Sequence, residues 1–210
     1  MNPIEKLTQH FKEFPGIGER QAKRFVYFLL HKNPGFVDEL SNEIKELKKN
    51  IIQCNSCFLF FPTLNKDIDF KNKLCDVCND TRTDHSSLLI VEKDADYENI
   101  KKSCLYKGMY FILGGTVPIV TKETPSFIKT KELLKTIENR CNNDGLKEVI
   151  LALSVNPASE HTDMYLRQIL NELQKKYDLK IVSLGRGLST GTELEYSDNE
   201  TIKNALQNRH

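Results

Sequence analysis

Four of the six cysteines stand in two close pairs, and their spacing limits the possible folds of this chain more than any other feature. Cys54 and Cys57 enclose two residues, Cys75 and Cys78 enclose two more, and 17 residues separate the pairs. Each such Cys-x-x-Cys pair forms a turn called a knuckle, and two knuckles can bring four thiolates to one metal ion. A closed shell of four sulfur ligands favours zinc in a structural role. The sequence therefore predicts one zinc ion per chain in a module that spans residues 54–80.

The small size of this module supports the zinc interpretation. A segment of 27 residues buries too little apolar surface to fold alone, and metal binding would supply the missing stability. A redox-active pair and chance spacing are the alternatives, and the presence of two knuckles disfavours both. Cys104 and Cys141 stand alone, and their apolar neighbours predict that both are small buried side chains.

Residues 1–53 show the apolar pattern of helices. Three stripes recur at helical spacing; they run from Ile4 to Phe14, from Ala22 to Leu30 and from Val37 to Ile51. Pro15 follows the first stripe, and Asn33-Pro34-Gly35 follows the second. Because these residues break helices, the pattern predicts three amphipathic helices joined by short turns.

The turn between the first two helices predicts a nucleic-acid contact. Gly16 and Gly18 flank one apolar residue, so a tight turn can present backbone N–H groups to a phosphate at the next helix start. Residues 12–32 hold five Lys or Arg and two Glu, and sequence-independent binding to a phosphate backbone uses such cations. The candidate contacts are Gly16, Gly18, Arg20, Lys23 and Arg24. An ordinary helical corner with solvated charges is the alternative.

Residues 81–184 have the pattern of an α/β domain. Short apolar runs at Leu88–Val91, Met109–Leu113, Val149–Leu153 and Lys180–Leu184 resemble strands that are covered on both faces. Predicted helices, notably Lys131–Asn142 and Thr162–Tyr177, separate them. This alternation predicts a mostly parallel sheet. Residues 185–210 follow as a C-terminal segment with Gly185, Gly187, Gly191 and a predicted polar helix from Asp198 to about Asn208.

Charge and hydropathy narrow the classes of function. The chain has 30 Lys and Arg against 29 Asp and Glu, which excludes nucleic-acid binding through bulk charge but leaves room for a local basic patch. No apolar run approaches the roughly 18 residues of a membrane span. The start of the chain lacks the order of a signal peptide. We therefore expect a cytoplasmic protein without a membrane partner.

Four motifs in this order resemble the RecR family of bacterial recombination mediators. Phe14–Phe25 is similar to the family's helix-hairpin-helix, and Cys54–Cys78 to its zinc finger. Leu89–Asp94 and Tyr110–Gly115 resemble parts of its Toprim domain. Gly187–Tyr196 and Ala205–Arg209 resemble its C-terminal signature. The resemblance implies an α+β fold of several modules: a helix-hairpin-helix (residues 1–53), a zinc finger (54–80), a Toprim-like α/β domain (81–184) and a C-terminal segment that contacts a partner or subunit (185–210).

The resemblance also implies a role in DNA repair without catalysis. Such a protein would bind gapped, single-stranded or double-stranded DNA without sequence preference. It would act with RecO-type and RecF-type partners to assist loading of the RecA recombinase. Family members are expected to form ring-like homo-oligomers, and the implied location is the bacterial cytoplasm, at the nucleoid when DNA is bound.

The acidic residues of the Toprim-like segment also argue against an enzyme. Catalytic Toprim domains use one glutamate and a later Asp-x-Asp to hold Mg²⁺ through hard oxygen ligands. Glu92 occupies the first position, but Asn156-Pro157-Ala158 and then Glu160 stand at the second. Glu92 and Glu160 could hold a metal weakly, serve protein partners or be solvated acids. A Mg²⁺-dependent Toprim-type nuclease or primase, and a protein-only adaptor, remain the alternative functions.

Two positions depart from the family's pattern in the same domain. His161 follows Glu160 where the family prefers glycine, and Gly114–Pro118 is a looser form of the family's glycine–proline segment. Both departures affect the loop around Glu160, so the resemblance does not assign a function to this loop.

Overall fold

The computed structural model describes residues 1–62, 73–119, 125–185 and 201–202. They belong to two compact units: Met1–Ile52 with Pro62 in the first, and Gln53–Phe61 with the described residues from 73 onward in the second. The predicted C-terminal elements, including Gly187, Gly191 and the helix from Asp198, lie outside the described residues except for Thr201 and Ile202. The four segment boundaries expected from the sequence stay predictions.

The first unit contains the three predicted helices. They are α1 (Pro3–Lys12), α2 (Glu19–Leu30) and α3 (Pro34–Asn50). Local chemistry fixes where α1 begins, because Asn2 accepts a hydrogen bond from the Glu5 N–H at 2.9 Å while Glu5 accepts one from the Asn2 N–H at 3.0 Å. This reciprocal capping satisfies two of the N–H groups that a helix start leaves without partners. Asn33 caps α3 in a similar way, through the Phe36 N–H.

The first two helices pack against each other through their apolar stripes. Ala22 and Val26 of α2 are buried, and the Phe11 ring meets the Phe25 ring edge to face with centroids 5.6 Å apart. Helix α3 buries none of its residues, and its Ile44 and Leu47 are each 60% exposed. The spacing of apolar residues therefore predicts α3 correctly, but it does not determine whether the apolar side of this helix packs against another element.

The cysteine-bearing segment contains three very short elements that the sequence pattern did not reveal. Strands β1 (Ile51–Gln53) and β2 (Phe60–Pro62) form a two-stranded sheet, and α4 (Asp76–Asn79) is a single helical turn. Elements of three or four residues are too short to show a hydrophobic period.

The second unit is built on a four-stranded parallel sheet, as predicted. Its strands are β3 (Asp84–Val91), β4 (Gly108–Ile112), β5 (Glu148–Ala152) and β6 (Lys180–Ser183), in the order β4-β3-β5-β6. The connecting helices are α5 (Asp94–Ser103), α6 (Thr130–Asn143) and α7 (Pro157–Tyr177). Helix α5 was not predicted, since only Tyr97 and Ile100 mark its apolar face.

The two faces of the sheet carry two separate buried clusters. Leu88 and Ile90 of β3 point into the larger cluster, while Leu89 and Val91 belong to the smaller one. This alternation is the two-residue period of a strand, and burial on both faces confirms the prediction made from the apolar runs. The smaller cluster also includes Cys54, Cys57 and Cys75. The cysteine segment is thus part of the apolar packing on one face of the sheet.

Gly114, just after β4, occupies a position that no other residue fits well. Its φ is +98°, and an added Cβ would collide with the Phe127 carbonyl oxygen. We expect Gly114→Ala to lower the free energy of unfolding by about 3 kcal/mol, because strain and steric overlap act together. Gly145→Ala is the matched control: its φ is +72° with open space around it, and the expected cost is about 1 kcal/mol. Urea unfolding of the two variants tests this, and equal midpoints would contradict the proposed overlap.

Among the helices of residues 1–62, 73–119 and 125–185, none combines the length and the apolar character that crossing a membrane requires.

Candidate metal centre and nucleic-acid interface

The structure brings the four predicted cysteine ligands together. The sulfur atoms of Cys54, Cys57, Cys75 and Cys78 all lie within 4.8 Å of one another, and the Cys57 and Cys75 sulfurs are 3.5 Å apart. Ligands at a Zn–S distance of about 2.3 Å in a tetrahedron have sulfurs roughly 3.8 Å apart. The spacing fits a tetrahedral metal ion. In the described part of the chain, this is the one set of three or more His, Cys, Asp or Glu side chains close enough to share an ion.

Backbone geometry explains how distant parts of the sequence form this group. Phe58 adopts a left-handed conformation with φ +64°, which lets its N–H return to the Cys54 carbonyl at 3.1 Å. The N–H groups of Ser56 and Cys75 each donate to the Cys54 sulfur at 3.4 Å. Hydrogen bonds to sulfur stabilise its thiolate form, the form that binds metal.

The four thiols are also electrostatically suited to metal binding. Hydrogen bonding from the Cys57 thiol, and then from Cys75 and Cys78, lowers the pKa of Cys54. The pKa of Cys57 is raised, because its hydrogen bond to Cys54 holds the proton. Because a metal ion binds the thiolate form, its binding would displace the protons that these thiols share.

The two remaining cysteines do not join this group. Cys141 is partly buried, but Cys104 is exposed and adopts a left-handed conformation with φ +57° at the end of α5. The prediction that Cys104 is a buried side chain is therefore wrong. Its apolar neighbour Leu105 is itself 87% exposed, so local apolar composition misled the prediction.

The glycine turn of the first unit has the shape expected for a phosphate contact. Gly16 has φ +77°, and Gly18 precedes the first helical residue of α2 without any side-chain cap. The Ile17 N–H bonds to the Phe14 carbonyl at 3.1 Å, which closes the turn. The first N–H groups of α2 lack acceptors within the helix, and such groups attract anions.

The predicted cations lie together on the exposed side of α2. Arg20, Lys23 and Arg24 are exposed, whereas Ala22 and Val26 face the core. Lys23 donates to Glu19 at 2.7 Å, and this hydrogen bond, followed by the charge of Glu19, raises the pKa of Lys23. Glu19 therefore offsets part of the positive charge at the helix start. The surface keeps a net excess of cations next to the turn.

Glu92 and Glu160 occupy different environments at one edge of the sheet. Glu92 follows β3 directly and is 3% exposed; the N–H and hydroxyl of Ser154 donate to its two carboxylate oxygens at 2.9 and 3.3 Å. Glu160 lies half-buried in the first turn of α7. No sequence pattern indicated Ser154 as the partner of Glu92, because the pair forms only through the register of adjacent strands.

The two departures from the family pattern contact each other. The His161 ring nitrogen lies 3.3 Å from the Val117 carbonyl, and the Val117 N–H donates to the Thr162 hydroxyl at 2.9 Å. Val117 belongs to the loop that follows Gly114 and Gly115. The start of α7 therefore holds this loop at the carboxyl edge of the sheet.

The fold and the sites define a protein of several modules: a helix-hairpin-helix, a four-cysteine centre that can hold a metal ion, and a parallel sheet of Toprim type. Comparison with family models agrees. Residues 4–48 match the RecR helix-hairpin-helix, residues 86–184 match a Toprim domain, and residues 187–210 match the RecR C-terminal model. The chain belongs to the RecR family.

Relatives along almost the whole chain support this assignment. It is 34% identical over 211 residues to recombination protein RecR of Phytoplasma mali, covering 99% of this chain and 94% of the relative. Recombination protein RecR of Ureaplasma parvum is 32% identical over 206 residues, with 98% and 94% covered. The protein of the same name from Chloroherpeton thalassium is 31% identical, with 98% and 95% covered. The predicted family resemblance is confirmed.

Proposed function

We propose that this chain is a non-catalytic DNA-binding protein of recombinational repair. It acts with RecO-type and RecF-type partners to assist recombinase loading at gapped or single-stranded DNA. The family assignment supports a role in recombination, since the relatives described above are named recombination proteins. The physical support for DNA binding is the exposed turn of the first unit.

That turn is the observation on which the proposal rests. Gly16 and Gly18 leave the first N–H groups of α2 open to solvent, and Arg20, Lys23 and Arg24 follow within two helical turns. Amides and cations that converge on one exposed surface bind phosphates of any sequence. No base-reading group is needed, so the expected binding tolerates any sequence.

The four-cysteine centre serves as a structural zinc site in this proposal. Cys54, Cys57, Cys75 and Cys78 would supply all four ligands of one zinc ion per chain, which leaves no position for a reacting water. The ion would contribute folding stability to a segment that carries only short elements.

The absence of catalysis is proposed from the acidic edge of the sheet. Both carboxylate oxygens of Glu92 accept hydrogen bonds from Ser154, and Asn156-Pro157-Ala158 replaces the paired aspartates that a catalytic Mg²⁺ needs. Glu92 and Glu160 instead suit a structural role or a contact with a protein partner.

Assembly and location complete the proposal. Residues 1–53 bind DNA, 54–80 form the zinc module, 81–184 form the Toprim-like domain and 185–210 contact a partner or another subunit. The chain forms a ring-like homo-oligomer in the bacterial cytoplasm and associates with the nucleoid through DNA.

Titration of the purified protein with labelled gapped, single-stranded and duplex oligonucleotides tests this function. We expect complexes with each DNA, and the logarithm of the binding constant should fall linearly with the logarithm of salt concentration. Incubation of the same DNA with Mg²⁺ should leave it uncut. Absence of any complex at low salt would overturn the proposal, and turnover that disappears in Glu92→Gln would establish the enzymatic alternative.

A further inference from the structure

Two buried side chains near the four-cysteine centre lack the hydrogen-bond partners that burial requires. Arg140 is 4% exposed and its Nη1 has no partner; Tyr97 is 4% exposed and its hydroxyl has none. Only one other buried side-chain polar atom in the described residues, the Ser159 hydroxyl, shares this condition. A buried polar group without a partner is unfavourable, because it has given up its hydrogen bonds to water. Both donors therefore call for a compensating negative charge in the same region of the molecule.

Arg140 reaches the cysteine centre through one bridging residue. Its Nη2 donates to the Ser56 hydroxyl at 2.8 Å, and the Ser56 N–H donates to the Cys54 sulfur at 3.4 Å. Arg140 also lines a cavity of about 530 Å³ together with Cys78. The guanidinium from the last turn of α6 is thus linked to the first cysteine pair through Ser56 and shares a cavity with Cys78 of the second pair.

Among the residues that the structure describes, no carboxylate forms an ion pair with this buried guanidinium. The salt bridges found between described residues do not include Arg140. An unpaired buried cation is strongly unfavourable, and an opposite charge nearby is the usual compensation. A divalent ion bound by four thiolates carries a formal charge of minus two, and its sulfurs accept hydrogen bonds. Such a centre would supply the negative charge that compensates the guanidinium.

Tyr97 approaches the same centre from α5. It belongs to the buried cluster that contains Cys54, Cys57 and Cys75, and its ring packs edge to face on Tyr110 with centroids 4.8 Å apart. Burial, followed by the negative charge of nearby Cys75 and Cys57, raises the pKa of Tyr97. The hydroxyl has no hydrogen-bond partner of its own in this cluster.

We propose that Arg140 and Tyr97 are positioning residues of the metal–thiolate centre. Arg140 supplies the compensating positive charge through Ser56, and Tyr97 supplies an O–H dipole in the buried cluster that contains three of the cysteines. The inference rests on the proposed metal site. It implies that metal binding also fastens α5 and α6 to the cysteine segment, because the negative charge of the loaded centre attracts the Arg140 guanidinium and the Tyr97 O–H dipole.

Metal competition with a chromophoric chelator tests this proposal in the full chain. Unmodified protein, Arg140→Gln, Arg140→Lys and Tyr97→Phe are each loaded with Zn²⁺ and, separately, with Co²⁺. Arg140→Gln should bind zinc about 10–100-fold more weakly, which is the usual effect of losing an outer partner of a metal site. Arg140→Lys, which keeps the charge, should restore part of this affinity, and Tyr97→Phe should weaken binding severalfold. The Co²⁺–thiolate charge-transfer bands should shift in Arg140→Gln and Tyr97→Phe.

Arg167→Gln is the matched control. Arg167 already pairs with Asp163 at 2.7 Å, so this variant should keep the zinc affinity and the Co²⁺ spectrum of the unmodified protein. Full metal loading with unchanged affinity and spectrum in Arg140→Gln would overturn the assignment of Arg140 alone. If Arg140→Gln does not fold, the zinc affinities and Co²⁺ spectra of Arg140→Lys and Tyr97→Phe test the proposal instead, and unchanged values in both variants would overturn it. An unmodified chain that binds no metal would overturn the metal centre itself.

Discussion

Replacing Cys75 by serine is expected to abolish metal binding and to lower the free energy of unfolding by about 4 kcal/mol or more. Cys75 is 2% exposed, its sulfur lies 3.5 Å from that of Cys57, and it directly precedes α4. Its loss leaves three sulfur ligands and frees the second knuckle. The measurements are metal content per chain by elemental analysis and the unfolding midpoint in urea.

Cys104→Ser provides the control for this substitution. Cys104 is exposed and remote from the other sulfurs, so its replacement should keep one metal ion per chain and change stability by less than about 0.5 kcal/mol. A Cys75→Ser protein with the metal content and unfolding midpoint of the Cys104→Ser protein would show that the four cysteines are not a structural metal site.

Reversing two charges on α2, in the double variant Lys23→Glu with Arg24→Glu, is expected to weaken DNA binding about 10–100-fold at low salt. The slope of log K against log[salt] should become shallower by about two, since each lost phosphate contact removes about one unit. Both residues are exposed, and neither belongs to the buried face formed by Ala22 and Val26, so the helix should remain folded. Fluorescence anisotropy with labelled DNA across a salt series provides both quantities.

Two further variants separate a local contact from a general charge effect. Lys102→Glu with Lys175→Glu makes the same change in net charge on exposed helical positions of the second unit and should alter DNA affinity by less than threefold. Glu19→Gln should raise the affinity severalfold, because it releases Lys23 from the ion pair at 2.7 Å. Equal losses in the two double variants would argue against α2 as the DNA contact.

The local elements of this protein were predictable because short stretches of sequence determine them. The four strands of the parallel sheet were found from continuous apolar runs, and the predicted ends coincide with the observed ends or differ from them by at most four residues. The helices of the first unit followed from apolar periodicity and from Pro15 and Asn33-Pro34-Gly35. Helix α5 was not predicted, because its two apolar residues, Tyr97 and Ile100, are too few to show a helical period.

The candidate sites were predictable only to the extent that their chemistry lies within a motif. The cysteine spacing indicated the four ligands, and the structure places their sulfurs together. The sequence did not indicate two further contacts. Arg140 donates to Ser56, which lies 84 positions earlier in the chain, and Ser154 donates to Glu92, which lies 62 positions earlier. The residues next to these side chains in the sequence carry no signal for such long-range contacts.

The sequence by itself determined the two knuckles, the glycine turn with its cations and the alternation of strands and helices, because spacing and composition over a few residues control each of them. Only the tertiary structure decided that the Cys104 thiol is exposed, that the carboxylate of Glu92 accepts hydrogen bonds from Ser154, and that the buried Arg140 reaches Cys54 through Ser56. The physical reason is that burial and charge compensation depend on groups that strand register and helix packing bring together. These groups are far apart in the sequence, so neighbouring residues do not reveal them.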